Sequence, residues 1–384
     1  MKPSFLPFSF SFLLLITLLA DLKAQSAPKY SNEFLAIGVG ARGLGMANTQ
    51  AAVTNDVTAA YWNPAGLLLA SEPYELSLMH IAYFGGIANY DYGGFTAKID
   101  STSRLAVSLI RFGIDDIPDT RFLIDADGNI DYSRVGSFAE ASYAFMFSYA
   151  KAVTLKIKEK NTAKGTIPAR YIPLRLGANA KIINRSAGVF SNAWGFGLDL
   201  GVQTDLGKWQ LGIMGRDITG TYNAWNFNTE AVADVFAQTG NEIPTNSIEI
   251  TLPRLQIGLA RAFRTQTDQI GLLTTIGLET TFDGKRNTLL KTNLFSISPS
   301  AGVEIDYKRT VFLRGGIGNF QQITDFDRTY TTFQPNFGIG IWIKKFKIDY
   351  ALTNAFQQAD LPLSHVFSLS ARFNQSDLQK LAKK

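Results

Sequence analysis

The chain has 384 residues, 46% hydrophobic, 12% aromatic and 18% charged, with 33 Gly, no Cys and a formal net charge of +5. So apolar and aromatic a composition excludes disorder, and the lack of cysteine excludes a disulfide scaffold, a zinc–thiolate site, a cysteine nucleophile and a lipoprotein anchor. The basic residues are scattered, so the charge gives no footprint for nucleic acid.

Lys2, an apolar run at 5–20 and a polar exit at 21–25 have the three-part layout of a secretory signal peptide, with cleavage expected after Ala24 (residues 1–24). No later stretch approaches the ~20 apolar residues that a spanning helix needs. An N-terminal segment follows at 25–73. In it, Gly38-Val39-Gly40-Ala41-Arg42-Gly43 matches the dinucleotide fingerprint G-x-G-x-x-G. No βαβ unit surrounds the match, so a Gly-rich packed segment is the better reading.

From residue 74 the dominant signal is alternation with period two. Tyr143, Phe145, Phe147 and Tyr149 share one face, and Glu140, Ser142, Ala144, Met146 and Ser148 the other. Trp194, Phe196, Leu198 and Leu200 alternate in the same way with Gly195, Gly197, Asp199 and Gly201. Fourteen such segments are expected, at 74–84, 87–99, 103–113, 137–150, 173–184, 193–204, 208–216, 253–263, 270–282, 296–307, 310–318, 334–344, 346–353 and 364–373. Most have the length of a tilted strand crossing a bilayer, and such a sheet must close because an open edge in hydrocarbon leaves backbone groups unpaired. The fold class predicted is an all-β transmembrane antiparallel β-barrel of about 14 strands over 74–373, followed by a basic tail at 374–384. Such a barrel contacts outer-membrane lipid directly.

Loop lengths support this. Connections at 204–208, 307–310 and 344–346 are tight, and those at 114–136, 217–252, 283–295, 319–333 and 354–363 are long. Short inside and long outside is the outer-membrane pattern, which a soluble sandwich or propeller does not require. The basic stretch 151–173 disobeys, being long where a short turn is expected.

Candidate chemistry is sparse. Asp125-Ala126-Asp127-Gly128-Asn129-Ile130-Asp131 resembles a calcium loop but has Ile130 in place of the central Gly and Gly136 in place of the last carboxylate, so a loop-tip turn is the better reading. His80 and His365 lie in separate strands without a metal or triad pattern, and neither G-x-S-x-G nor H-E-x-x-H occurs. A non-enzymatic protein without cofactor or metal is expected. In the 217–252 loop, Val232, Val235 and Phe236 stand at helical spacing and suggest a short amphipathic helix.

Residues 34–47, with Gly40-Ala41-Arg42, and the stretch Tyr61-Trp62-Asn63-Pro64-Ala65-Gly66-Leu67 resemble the N-terminal region of the FadL superfamily, within it the PorV/PorQ family. The end of the chain, 346–373, is similar to that family's last strands, and 239–244 to one of its loops. The resemblance implies an integral barrel in the outer membrane of a Gram-negative bacterium, with the N-terminal segment as a plug. It further implies a component of the type IX secretion system that meets a translocon or the sorting domain of secreted cargo. On that reading the partner is gripped by the outer loop, with Trp225, Phe227, Phe236, Asn241, Glu242, Ile243 and Pro244. The alternative is a FadL-like channel taking up hydrophobic small molecules. Asn63, Pro64, Ala65 and Gly66 read as a structural turn, Pro64 holding Asn63 extended and Gly66 allowing the reversal.

Overall fold

In a computed structural model, residues 31–382 are described apart from 126, 158–159, 163–164, 168–169, 234–235, 238–239, 241, 243–246, 326–327 and 355–362. The expected signal peptide, residues 25–30 and the loop positions Asn241, Ile243 and Pro244 lie outside the described residues.

Fourteen antiparallel strands close into a barrel. They are β1 (Tyr74–Tyr83), β2 (Ala88–Lys98), β3 (Ser103–Asp119), β4 (Gly136–Ile157), β5 (Arg170–Ala187), β6 (Ser191–Leu206) and β7 (Trp209–Arg216). They continue with β8 (Arg254–Arg264), β9 (Ile270–Thr281), β10 (Ser296–Tyr307), β11 (Val311–Asp325), β12 (Arg328–Ile343), β13 (Phe346–Thr353) and β14 (Ser364–Phe373). Each pairs with its sequence neighbour, and β14 returns to β1, from Tyr74↔Phe373 to Ala82↔His365.

The period-two pattern sorts the side chains as the bilayer demands. Phe147 (54% exposed), Trp194 (58%) and Ile339 (55%) point outward, while their neighbours Ser148, Ala193 and Gly338 are buried. Outward apolar groups rest against hydrocarbon; the inward face carries small or polar residues that meet the contents of the lumen. A twelve-residue strand such as β9, rising ~3.3 Å per residue and tilted by ~40°, gains about 30 Å of height, enough to cross a bilayer core.

Several strands outrun their expected limits. β3 reaches Asp119, β11 reaches Asp325 and β12 begins at Arg328, so most of the outer loop expected at 319–333 is strand. Part of the 217–252 loop is strand too. Thr221–Phe227 pairs with β6 above the end of β7, and Ser247–Thr251 pairs with it. The 151–173 stretch is no loop: β4 and β5 stay paired down to Ile157↔Arg170, and a small hairpin, Lys160–Thr162 with Gly165–Ile167, lies at the tip. Past the membrane neither face of a strand must be apolar, so the alternation that marks a strand fades while its hydrogen bonds continue. After β14 the tail forms helix α3 (Gln375–Ala382), started by Asn374, whose side chain accepts the Asp377 N–H at 3.1 Å.

Candidate functional site

The lumen holds the chain from Ser31 to Ala70. Its partners come from all around the wall: Ala41 N–H donates to Ser368 Oγ on β14 (2.8 Å), Thr49 Oγ1 meets Thr275 Oγ1 on β9 (2.5 Å), and Asn179 on β5 donates to the Ala60 carbonyl (2.8 Å). Only a segment inside the barrel reaches β14, β9 and β5 within thirty residues. It comprises a 3-10 turn (Glu33–Ala36), short helices α1 (Ala41–Gly45) and α2 (Ala59–Trp62), and a second 3-10 turn (Pro64–Leu69).

Glycines make room for it. A Cβ on Gly177 would overlap the Ala65 nitrogen, on Gly212 the Ala51 carbonyl oxygen, and on Gly316 the Ala47 nitrogen. A Cβ on Gly201 would overlap Asn63 Oδ1, and one on Gly258 would come within 2.9 Å of the Ala52 nitrogen. These glycines belong to β5, β6, β7, β8 and β11, and Gly201 pairs with Gly177 while Gly258 pairs with Gly212. They form a belt along the inner wall in which the segment's backbone replaces missing side chains.

Asn63 is the hub of the segment. It is fully buried; its amide donates to the carbonyls of Ala51 (2.8 Å), Val202 (3.1 Å) and Ile213 (3.3 Å), and its Oδ1 accepts the Ala65 N–H (3.2 Å). Its backbone is extended (φ −165°), the geometry Pro64 imposes on the residue before it. Pro64 opens the second 3-10 turn, and Ala65 and Gly66 are buried within it. Gly66 differs from expectation in its reason: it has no positive φ, and its hydrogen is needed because a Cβ would strike the Thr54 carbonyl oxygen. The two stretches that carried the family resemblance are packed together. Trp62 Nε1 donates to the Val39 carbonyl (2.9 Å), and a Cβ on Gly38 or Gly43 would come within 2.9 and 2.8 Å of the Trp62 ring.

Buried ions tie the segment to the wall. Arg42 chelates Glu304 on β10 through Nε and Nη2, each at 2.9 Å, and Glu304 also takes Arg314 of β11 (2.6 Å). Arg314 goes on to Asp349 of β13 (2.7 Å), beside Lys347 (3.2 Å). On the opposite wall Lys181 lies between Asp199 (2.7 Å) and Asp217 (2.5 Å). Arg216 stacks on the Tyr61 ring at 4.1 Å and donates to the Tyr61 and Leu35 carbonyls. Near the outer rim, Glu33 pairs with Arg254 (2.5 Å) and Arg286 (2.9 Å), and Arg286 with Asp283 (2.5 Å). Burial works to raise the Asp283 carboxyl, yet the Arg286 hydrogen bonds and charge outweigh it and hold the group below the usual carboxylate range.

Two cavities flank the segment. The outer one, about 350 Å³, is lined by the apolar Ile37, Leu44, Ile81 and Val366 together with the polar Glu33, Glu279, Asn319 and Asn336. The inner one, about 740 Å³, opens at the end with the short turns and is lined by charged groups that include Arg42, Arg264, Glu304, Lys347 and Arg372. Arg42, Glu304 and Lys347 form part of its lining, so the ion network separates it from the outer cavity.

The other expected positions are dispersed. Trp225 and Phe227 stand on a strand with stacked rings (6.1 Å apart), and Trp225 Nε1 donates to Glu249 (2.7 Å) under the Arg185 guanidinium. Phe236 is half-buried and Glu242 exposed. His80 lies on Asp91 (2.7 Å) and His365 on Tyr350 (2.7 Å), on different strand pairs. Asp125 accepts the Asp127 and Asn129 N–H groups (2.9 and 2.8 Å), the geometry of a self-bonded turn. Sequence reasoning passed over the ion networks and the glycine belt; the available signal was that Lys181, Asp199, Arg314 and Asp349 occupy lumen-facing positions.

No family model matches the chain, and no curated protein matches it. Among solved structures it is similar to the monoaromatic hydrocarbon channel CymD, with 12% identity, a TM-score of 0.50, and 88% of this chain and 98% of that chain covered. It is also similar to the Pseudomonas putida toluene transporter TodX (14% identity, TM-score 0.49, coverage 88% and 98%). A FadL homologue of Pseudomonas aeruginosa gives 12% identity, a TM-score of 0.48 and coverage of 87% and 97%. The chain therefore shares the fold of a closed fourteen-stranded outer-membrane β-barrel such as CymD.

Proposed function

We propose that the protein sits in the outer membrane of a Gram-negative bacterium and admits small hydrophobic or amphipathic molecules, with the outer cavity as their first binding site. The observation that carries this reading is the cavity's mixed lining, apolar at Ile37 and Leu44 and polar at Glu33 and Glu279. Its volume falls in the range of small-ligand pockets, and the fold is shared with a hydrocarbon channel. The N-terminal segment then acts as the plug that stops free passage of water and ions. Ile37 is only partly buried, so Ile37→Asp leaves the barrel able to form while placing a charge in the apolar part of that lining. Toluene-type and fatty-acid probes should bind the variant at least tenfold more weakly, as read by titration of the purified protein. Unchanged binding, or none by the wild type, would overturn the reading.

A second reading, a type IX secretion component that receives cargo, is supported by the Gly-Ala-Arg and Trp-Asn-Pro-Ala-Gly stretches. It predicts a secretion defect in a deletion strain, with hydrocarbon uptake intact.

A further inference from the structure

The geometry points to the lower β4–β5 hairpin as a periplasmic arm that accepts one strand of an acidic partner protein. β3 leaves β4 at Ser103↔Lys151, and β6 leaves β5 at Leu174↔Thr204, yet β4 and β5 continue together to Ile157↔Arg170. This is the end with the short turns, where β1 starts and β14 finishes, hence the periplasmic end of an even-stranded barrel.

Lys151 marks where the hydrocarbon stops. The outward stripe runs Phe145, Phe147, Tyr149 and then Lys151, whose ammonium donates to Thr102 Oγ1 (2.8 Å) in the β2–β3 turn and to Ser103 Oγ (2.7 Å) at the start of β3. Val153 (37% exposed) and Leu155 (50%) continue the stripe beyond that charge, where lipid no longer covers them.

The arm's two edges differ. Ala152 N–H donates to the Thr102 carbonyl (2.8 Å), toward the β3 side. By the two-residue period, Thr154 and Lys156 aim their backbone N–H and C=O groups the same way, past the end of β3, where no strand lies among the described residues. On the other edge Pro173 has no N–H to offer, and its carbonyl already takes Thr204 Oγ1 (2.8 Å). One edge is blunted and the other left as a template for strand addition.

Charge selects the occupant. Among the described residues between 151 and 173, Lys151, Lys156, Lys160 and Arg170 are basic and none is acidic. Two copies of the arm repel one another, whereas an alternating acidic and β-branched strand complements both the charge and the exposed Val153–Leu155 face.

The test uses the full-length barrel in lipid nanodiscs and a fluorescent octapeptide of alternating Glu and Val. The peptide should bind the wild type and bind Thr154→Pro at least tenfold more weakly. Thr154 lies outside the membrane-crossing wall, and its N–H takes no part in the β4–β5 ladder, so the variant should keep its heat-modifiable gel shift. The same peptide with Lys in place of Glu should not bind. Equal affinity for Thr154→Pro would overturn the inference in favour of a plain basic patch. Displacement of the peptide by phosphatidylglycerol vesicles would overturn it in favour of a lipid surface, and failure of the wild type to bind would overturn it outright.

Discussion

Gly315 and Gly316 are neighbours on β11 that face opposite environments. A Cβ on Gly315 would find Val303 Cγ1 at 3.7 Å, an ordinary contact on the lipid side, while one on Gly316 would overlap the Ala47 nitrogen and the Met46 carbonyl carbon. Backbone cannot yield as a flexible side chain can, so Gly316→Ala should destabilise the barrel by ~1–3 kcal/mol and Gly315→Ala by nearly nothing. The temperature at which the folded band disappears on a gel reads the difference; equal temperatures would contradict the belt. Asn63 gives a sharper case. Asn63→Ala leaves three carbonyls without their shared donor, but Asn63→Asp also aims a carboxylate at those carbonyls. The aspartate variant should therefore be the worse of the two, by ~1–3 kcal/mol, despite its closer shape.

Among the elements, the first 3-10 turn is held by charge rather than by packing alone. Glu33 is clasped by Arg254 and Arg286, and Arg286 by Asp283. Because the Asp283 carboxyl is held below its unfolded value, its share of the clasp is complete above the ordinary carboxylate range and is lost as pH falls through the depressed value. A spin label at Ala36→Cys, the only thiol in the chain, should be immobile at pH 7 and gain mobility only as the pH falls through that depressed value. Arg286→Ala should be mobile already at pH 7; immobility in both conditions would refute the clasp. The same turn shows where sequence reading stops. The strands were legible because hydrocarbon on one side and a packed lumen on the other enforce a period of two, as in Phe145 to Ser148. Strand ends such as Ile114–Asp119 on β3 were not, because water on both faces removes that pattern. Glu33, Arg254 and Arg286 stand 32 to 253 residues apart in pairs, and spacing alone does not select such partners. Asn63 and Pro64 were legible because Pro acts on its neighbour's backbone, a purely local effect.

For the whole molecule, the proposed channel role turns on whether the segment in the lumen would move for a molecule to pass. The glycine belt spans β5 to β11, and ion pairs bind the segment to β10 and near the outer rim. Wholesale exit would open all of these contacts together and expose the buried Arg42, Glu304 and Arg314 charges, each costly to leave unpaired. Passage by a local route around a fixed segment avoids that cost. The chain has no Cys, so a designed pair is free of competing thiols, and Thr49 and Thr275 already place their hydroxyls 2.5 Å apart. Thr49→Cys with Thr275→Cys should form a disulfide and raise the unfolding temperature, because it closes a loop of more than two hundred residues. Uptake of a hydrophobic probe into proteoliposomes should be the same for the oxidised and the reduced forms. Uptake lost on oxidation and recovered with reductant would show instead that the segment leaves the lumen with every passage.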